Sequence, residues 1–147
     1  MLEIKGDSDH TKLIDMLTDL NDYSIGIEDV LKEHFDEENI VYWMAFQILM
    51  GNVDTQNRNV YLYSPLNSDI WYFIAWDNDG CLMRSEYELK NFSDQGSWEK
   101  GISNYWGNVL FQRCLKSRSF REKLNDAILE LREYLNKRYA HIKDREL

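Results

Sequence analysis

The stretch that most limits how this chain can fold is DEENIVYWMAFQILMG, residues 36–51. Asp36 is a good amino-terminal cap, Glu37 and Glu38 complement the helix dipole, and Ile40, Val41, Trp43, Met44, Phe46, Ile48 and Leu49 follow on nearly every side of the predicted helix. A helix apolar all round cannot lie on a surface, so it must run through the middle of a domain with other elements packed around it. Gly51 is placed to end it, because glycine adopts the left-handed conformation at little cost.

The flanking segments supply those packing partners. Leu13, Ile14, Met16, Leu17 and Leu20 fall at helical spacing behind the capping candidates Ser8 and Asp9, which predicts a helix over 11–21. A second is predicted over 27–35, with Ile27, Val30, Leu31 and Phe35 on one face and acids in its first turn. Val60 to Tyr63 and Ile70 to Trp76 are rich in β-branched and aromatic residues and are separated by Pro65, Asn67, Ser68 and Asp69, the pattern of a β-hairpin. From Asp77 to Gly107, turn formers and scattered aromatics, including Trp98 and Trp106, predict a long ordered loop with short helical turns. Val109, Leu110, Leu115 and Phe120 then lead into a helix over about 119–140 carrying Leu124, Ile128, Leu131, Leu135 and Tyr139 as an apolar stripe. The fold class expected is mainly α with a small β-hairpin (α+β). At 147 residues, with 44% hydrophobic residues and 14% aromatic ones, a single domain over 1–147 is expected.

Charge and cysteine content narrow the function classes. Residues 1–60 hold 13 acids and 4 bases and residues 61–147 hold 13 of each, so the first segment carries the whole net charge of -9. Such a surface repels phosphate backbones, and no nucleic-acid partner is expected. The one basic cluster, Arg113 to Lys123, is expected to be the solvated flank of a helix. The opening MLEIKGDSDH has no apolar run that would make a signal peptide, and no stretch approaches a membrane span. Cys81 and Cys114 lack the spacing of a zinc site and are expected to be separate thiols, although a disulfide stays open. His10, His34 and His141 lie in separate segments with no adjacent nucleophile and are expected at the surface or at caps, while Trp43, Trp71 and Trp76 are expected in the core. Trp98 and Trp106, in the long loop, are candidates for the lining of a substrate cleft.

Chemistry concentrates in GNVDTQNRNVYLY followed by WYFIAWDND, where an apolar helix, a polar loop, a hairpin and a second polar loop succeed one another. Asp54 and Asn59 have the spacing of a phosphotransferase catalytic loop, in which an aspartate reaches the acceptor hydroxyl and an asparagine five residues later turns toward a metal. Asp77 closes the next hairpin as a metal carboxylate, and Asp79 either adds a ligand or caps the turn at Gly80. Asn57 competes with Asn59 for the metal role, but the spacing favours Asn59. A calcium-loop reading of residues 75–86, with Gly80 at the sixth position and Glu86 at the twelfth, fails at its first position, where Ala75 stands. Aspartate and asparagine also populate turns for purely local reasons, and that reading stays open beside the chemical one.

These residues resemble the signature of the CotH (spore coat protein H) family of atypical kinases: an aromatic-rich helix, Gly-Asn-x-Asp, Asn-x-Tyr-x-Tyr and Trp-Asp-x-Asp, spanning about 36–80. The resemblance implies a protein-kinase-like helical C-lobe and transfer of phosphate from ATP, with Mg2+ or Mn2+, to serine or threonine of a secreted, cell-surface or spore-coat protein. It assigns catalysis to Asp54 and metal binding to Asn59 and Asp77, with Asp79 beside them. The family's strand lysine and phosphate-covering loop have no counterpart here, and Ala75 replaces the proline common before its Trp-Asp. The chain is therefore expected to be the carboxyl-terminal, catalysis-bearing part of such a kinase, incomplete by itself. The alternative is a non-catalytic surface or coat-assembly module of the same fold.

Overall fold

The computed structural model describes residues 8–52, 55, 59–81, 105 and 107–143, with side chains described as far as residue 140. Five helices and one hairpin make up the described fold: α1 (Thr11–Asn21), α2 (Ile27–His34), α3 (Glu37–Leu49), β1 (Tyr61–Tyr63), β2 (Tyr72–Ile74), a 3-10 turn (Asn78–Gly80), α4 (Val109–Lys116) and α5 (Arg118–Lys143). This is the mainly helical fold with a small antiparallel hairpin that the sequence predicts.

The apolar helix α3 takes the central position. It packs most extensively on α5 and also against β2. Ile40, Met44 and Ala45 are completely buried in it, and the Trp43 ring lies 4.8 Å from Phe73 and 5.7 Å from Phe111. Phe111 in turn meets Tyr105 edge-on at 5.2 Å, so aromatic rings from α3, β2, α4 and residue 105 form one cluster. Burying several large rings in this way is the largest favourable contribution available to a chain of this size.

Both ends of α3 form as their residues require. The Asp36 side chain accepts from the Asn39 N–H at 2.8 Å, satisfying one of the donors left free at a helix start. At the other end Gly51 takes φ 63, which lets its N–H reach Ile48 O at 3.1 Å and the Asn52 N–H reach Gln47 O at 3.0 Å. That is the paired hydrogen-bond pattern of a left-handed helix terminus, and it folds Asn52 back beneath the helix.

The hairpin pairs Tyr61 with Ile74, Leu62 with Phe73 and Tyr63 with Tyr72. It is attached at three places. Asn39 grips the Phe73 backbone, Trp71 N–H donates to His34 O at 2.8 Å, and Lys12 Nζ on α1 donates to Pro65 O at 2.6 Å and Ser68 O at 2.5 Å in the turn. The strands are shorter than the β-branched and aromatic runs predict, because pairing ends before Asn59 and Asp77, both of which leave the extended region.

Several residues sit elsewhere than expected. His34 is buried, with its Nε2 2.7 Å from Asp19 Oδ2, because its ring fills the seam between α2 and α1. Arg113, expected among solvated bases, is also buried: its Nη1 donates to Leu20 O at 2.5 Å, its Nη2 donates to Ile25 O, and its guanidinium lies 5.1 Å from the Tyr23 ring. The carbonyls at the end of α1 need donors, and a cation there also meets the negative end of the helix dipole. Trp76, expected in the core, is 53% exposed because it lies two residues beyond the last paired residue, Ile74, and meets the exposed Tyr61 ring at a tilt, 5.1 Å away. Trp71 is half-buried. At the start of α1 the cap position is His10, while Asp9 Oδ1 accepts from the Thr11 N–H at 2.9 Å. The terminal stripe divides at Ser117 into α4 and α5, and its far end, Leu135 and Tyr139, is exposed. The two thiols are free, with Cys114 fully buried. Among the described residues no helix is long and apolar enough to cross a membrane.

Candidate functional site

Of the residues singled out for chemistry, Asn59, Asp77 and Asp79 can be placed; Asp54 and Asn57 lie outside the described residues, as do Trp98, Trp106, Glu86 and the side chain of His141. Asn59 stands two residues before β1 and Asp77 three residues after β2. In the antiparallel register both therefore lie at the open end of the hairpin, away from the turn at residues 64–68.

These two are also the non-glycine residues with positive φ among those described, at 54° for Asn59 and 50° for Asp77. Asparagine and aspartate tolerate the left-handed region better than other side chains, yet it still costs more there than extended backbone does. Two such residues at one end of one hairpin turn the chain sharply on either side of the same spot. Strain held in place by surrounding structure is characteristic of sites where side-chain direction matters.

What holds the spot is a set of amides that the sequence reading did not assign. Gln47 is completely buried on α3, and Asn52 is nearly so. Asn52 Nδ2 donates to Gln47 Oε1 at 2.9 Å, Gln47 Nε2 donates to Asn78 Oδ1 at 3.1 Å, and Asn52 Nδ2 also reaches Asn78 Oδ1 at 3.4 Å. The three side chains thus close a triangle joining the end of α3, the loop that leaves it and the turn immediately after Asp77. The polar loops at the two ends of the hairpin strands converge through this contact. A single glutamine inside FQILMG was the available signal, since a polar side chain in an otherwise apolar helix needs a partner.

The surroundings are polar but enclosed. Cys81 follows the 3-10 turn, its N–H donating to Asn78 O at 3.1 Å. Burial pushes its thiol pKa up, Asp79 adds to that, and the Asn52 amide pulls the other way. Thr55 and Tyr105 are fully buried neighbours whose hydroxyls influence one another without meeting in hydrogen-bond geometry. Burial pushes the Tyr105 phenol up to about 12.

As a donor set the open end of the hairpin offers hard oxygen: the exposed carboxylates of Asp77 and Asp79 and the side-chain amide of Asn59. Among the described residues no group of three or more His, Cys, Asp or Glu side chains gathers to hold a metal unaided. One or two carboxylates completed by phosphate oxygens and water suit Mg2+ or Mn2+ and do not suit a soft metal. Asn78 is unavailable, since its oxygen already accepts from Gln47 and Asn52.

Comparison with known proteins adds one match. A family model described as CotH kinase protein matches residues 2–146, which extends well beyond the 36–80 signature to α1, α2 and α5. No curated protein and no solved structure matches the chain.

Proposed function

The chain belongs to the CotH kinase family, and from that premise we propose that it carries the catalytic-loop and metal-binding side of an ATP-dependent phosphotransfer to serine or threonine of a protein. The acceptor hydroxyl hydrogen-bonds to Asp54, which orients its oxygen for attack and takes its proton. The oxygen–phosphorus bond to the acceptor forms as the bond from the γ-phosphorus to the bridging oxygen breaks, and ADP leaves with that electron pair. Asn59 and Asp77 are the residues that would hold Mg2+ or Mn2+, with Asp79 as a further carboxylate or as a cap of the turn. Bound there, the cation supplies charge neutralisation at the phosphates.

The division of labour follows from the little covalent chemistry that the protein must perform. Positioning and electrostatic stabilisation account for most of the rate in phosphoryl transfer, so side chains fixed in direction matter more than reactive ones. The single observation that carries the reading is the pair of left-handed residues, Asn59 and Asp77, at one end of one hairpin. Acceptors among secreted, cell-surface or spore-coat proteins belong to the same proposal.

The test is transfer of labelled γ-phosphate from ATP to protein serine or threonine, measured with the full-length protein. Transfer is expected only with Mg2+ or Mn2+ present, and Asp77→Ala is expected to lower it by roughly two orders of magnitude. Unchanged transfer in Asp77→Ala would sink the assignment of that residue.

A further inference from the structure

Gln47 is an expensive residue to place where it lies. Ile48 and Leu49 follow it in sequence, Met44 and Ala45 precede it, and its own side chain has no exposure. An amide there loses all contact with water, so a leucine or methionine would serve the packing of α3 as well or better unless the hydrogen bonds do something else. The amide spans two loops, accepting from Asn52 at 2.9 Å and donating to Asn78 at 3.1 Å.

Attachment of the hairpin does not require that bond. Asn39 already holds the Phe73 backbone at both its N–H, 2.7 Å, and its carbonyl, 3.2 Å, and Trp71 is held by His34 O. What those anchors leave undetermined is the turn beyond β2, where Asp77 has left the sheet with φ 50 and ψ 58. Asn78 is the next residue, so fixing its side chain from inside the helix fixes the direction of the strained backbone that presents Asp77. The short Asn78–Gly80 turn, closed by the Cys81 N–H on Asn78 O, carries that constraint onward to Asp79.

We propose that Gln47 is a positioning residue: through Asn78 it holds the Asp77–Asp79 carboxylates in the geometry that a divalent cation requires, with Asn52 as the third member of the clamp. The inference rests on the metal-binding reading of Asp77 given above. Outer residues that orient metal ligands typically contribute roughly 10- to 100-fold to metal affinity. An uncharged methionine at position 47 keeps volume and helix propensity while removing both hydrogen bonds.

The experiment measures Mn2+ binding by the full-length protein through the loss of its free-ion paramagnetic resonance signal, alongside amide hydrogen exchange across residues 44–52 and 78–81. Gln47→Met is expected to weaken Mn2+ binding by roughly 10- to 100-fold and to speed exchange at the Cys81 amide, while exchange in the middle of α3 stays as in the wild type. Asn78→Ala attacks the same contact from the half-buried loop side, and so reports even if Gln47→Met fails to fold. It is expected to give the same loss, with no further loss in the double variant, because both substitutions remove the Gln47–Asn78 bond through which the turn is held.

If the wild type binds Mn2+ and both single variants bind it equally well, Gln47 is not a positioning residue and the phosphotransfer reading stands. If the wild type binds no Mn2+, the metal-binding reading falls, and the positioning role falls with it. A clamp that still slows exchange at Cys81 in that case is structural only. Unchanged Cys81 exchange in both variants overturns the clamp whatever the metal does.

Discussion

The two ends of α3 each use a side-chain amide to hold the same β-hairpin, and they do so in different ways. Near its start Asn39 bonds both the N–H and the carbonyl of Phe73, a residue inside the regular ladder whose ring joins the aromatic cluster with Trp43 and Phe111. At its finish Gln47 bonds the side chain of Asn78, beyond the ladder and next to a left-handed aspartate. The first contact continues a sheet edge into a helix and is surrounded by apolar rings. The second joins two loops around strained backbone and exposed carboxylates. One helix of 13 residues therefore separates the two tasks along its length: its first turns fix the core, and its last turn fixes a direction.

That separation can be broken most forcefully at Asn39. Asn39→Ala removes two hydrogen bonds and leaves the Phe73 N–H and carbonyl without that partner, which is expected to cost about 1–3 kcal/mol of stability in urea unfolding. Mn2+ affinity of the folded variant is expected to stay at the wild-type value. A parallel fall in metal affinity would show that the ends are coupled and that the distinction drawn between them is wrong.

The same contrast explains what could be read from the sequence. Helices α1, α2 and α3 are legible to within a residue, because apolar spacing, Asp36 and Gly51 are local signals that neighbouring residues settle among themselves. Position-specific burial is not local. Arg113 is buried by carbonyls about 90 residues away in sequence, and His34 by an aspartate on another helix, so both read as surface residues in any short window. Trp76 reads as core by its type, but the left-handed turn at Asp77 ends the strand before it and leaves the ring outside. The candidate site divides in the same manner. Asn59, Asp77 and Asp79 are nominated by spacing alone, whereas the Gln47–Asn52–Asn78 triangle depends on a contact spanning 31 residues and on the backward turn at Gly51.

Alkaline titration sharpens the comparison from the polar side. Tyr105 lies beside Thr55 near the finish of α3, and burial raises its phenol from 10.0 to about 12. The unfolded chain loses this proton near pH 10 and the folded chain near pH 12, so between them the unfolded state binds fewer protons. The group's contribution to stability is intact below the lower value and is lost as pH rises toward the upper one. The slope is expected to reach at most about 1.4 kcal/mol per pH unit. Tyr105→Phe keeps the edge-on contact with Phe111 and is expected to lose that slope, measured as the difference between the two proteins' urea midpoints through the same pH range. Equal slopes would mean that the phenol is hydrated in the folded protein.

The smallest expected effect on stability is the most informative about the strained end. If Asn59 were present only because its turn needs a left-handed residue, glycine would serve better, having no Cβ to crowd that conformation. Asn59→Gly relieves the backbone at φ 54 but adds freedom to the unfolded chain, and the two changes offset to within about 1 kcal/mol. Stability is therefore expected to be nearly unchanged, with the hairpin and its Tyr61–Ile74 pairing intact. The side-chain oxygen is lost all the same, and with it the contribution that the metal-binding reading gives to Asn59. The variant is expected to fold normally and to transfer phosphate poorly, with Mn2+ binding weakened in step. A glycine variant as active as the wild type would make Asn59 a turn former alone, and would leave the carboxylates after β2 as the protein's own ligands on that side of the hairpin.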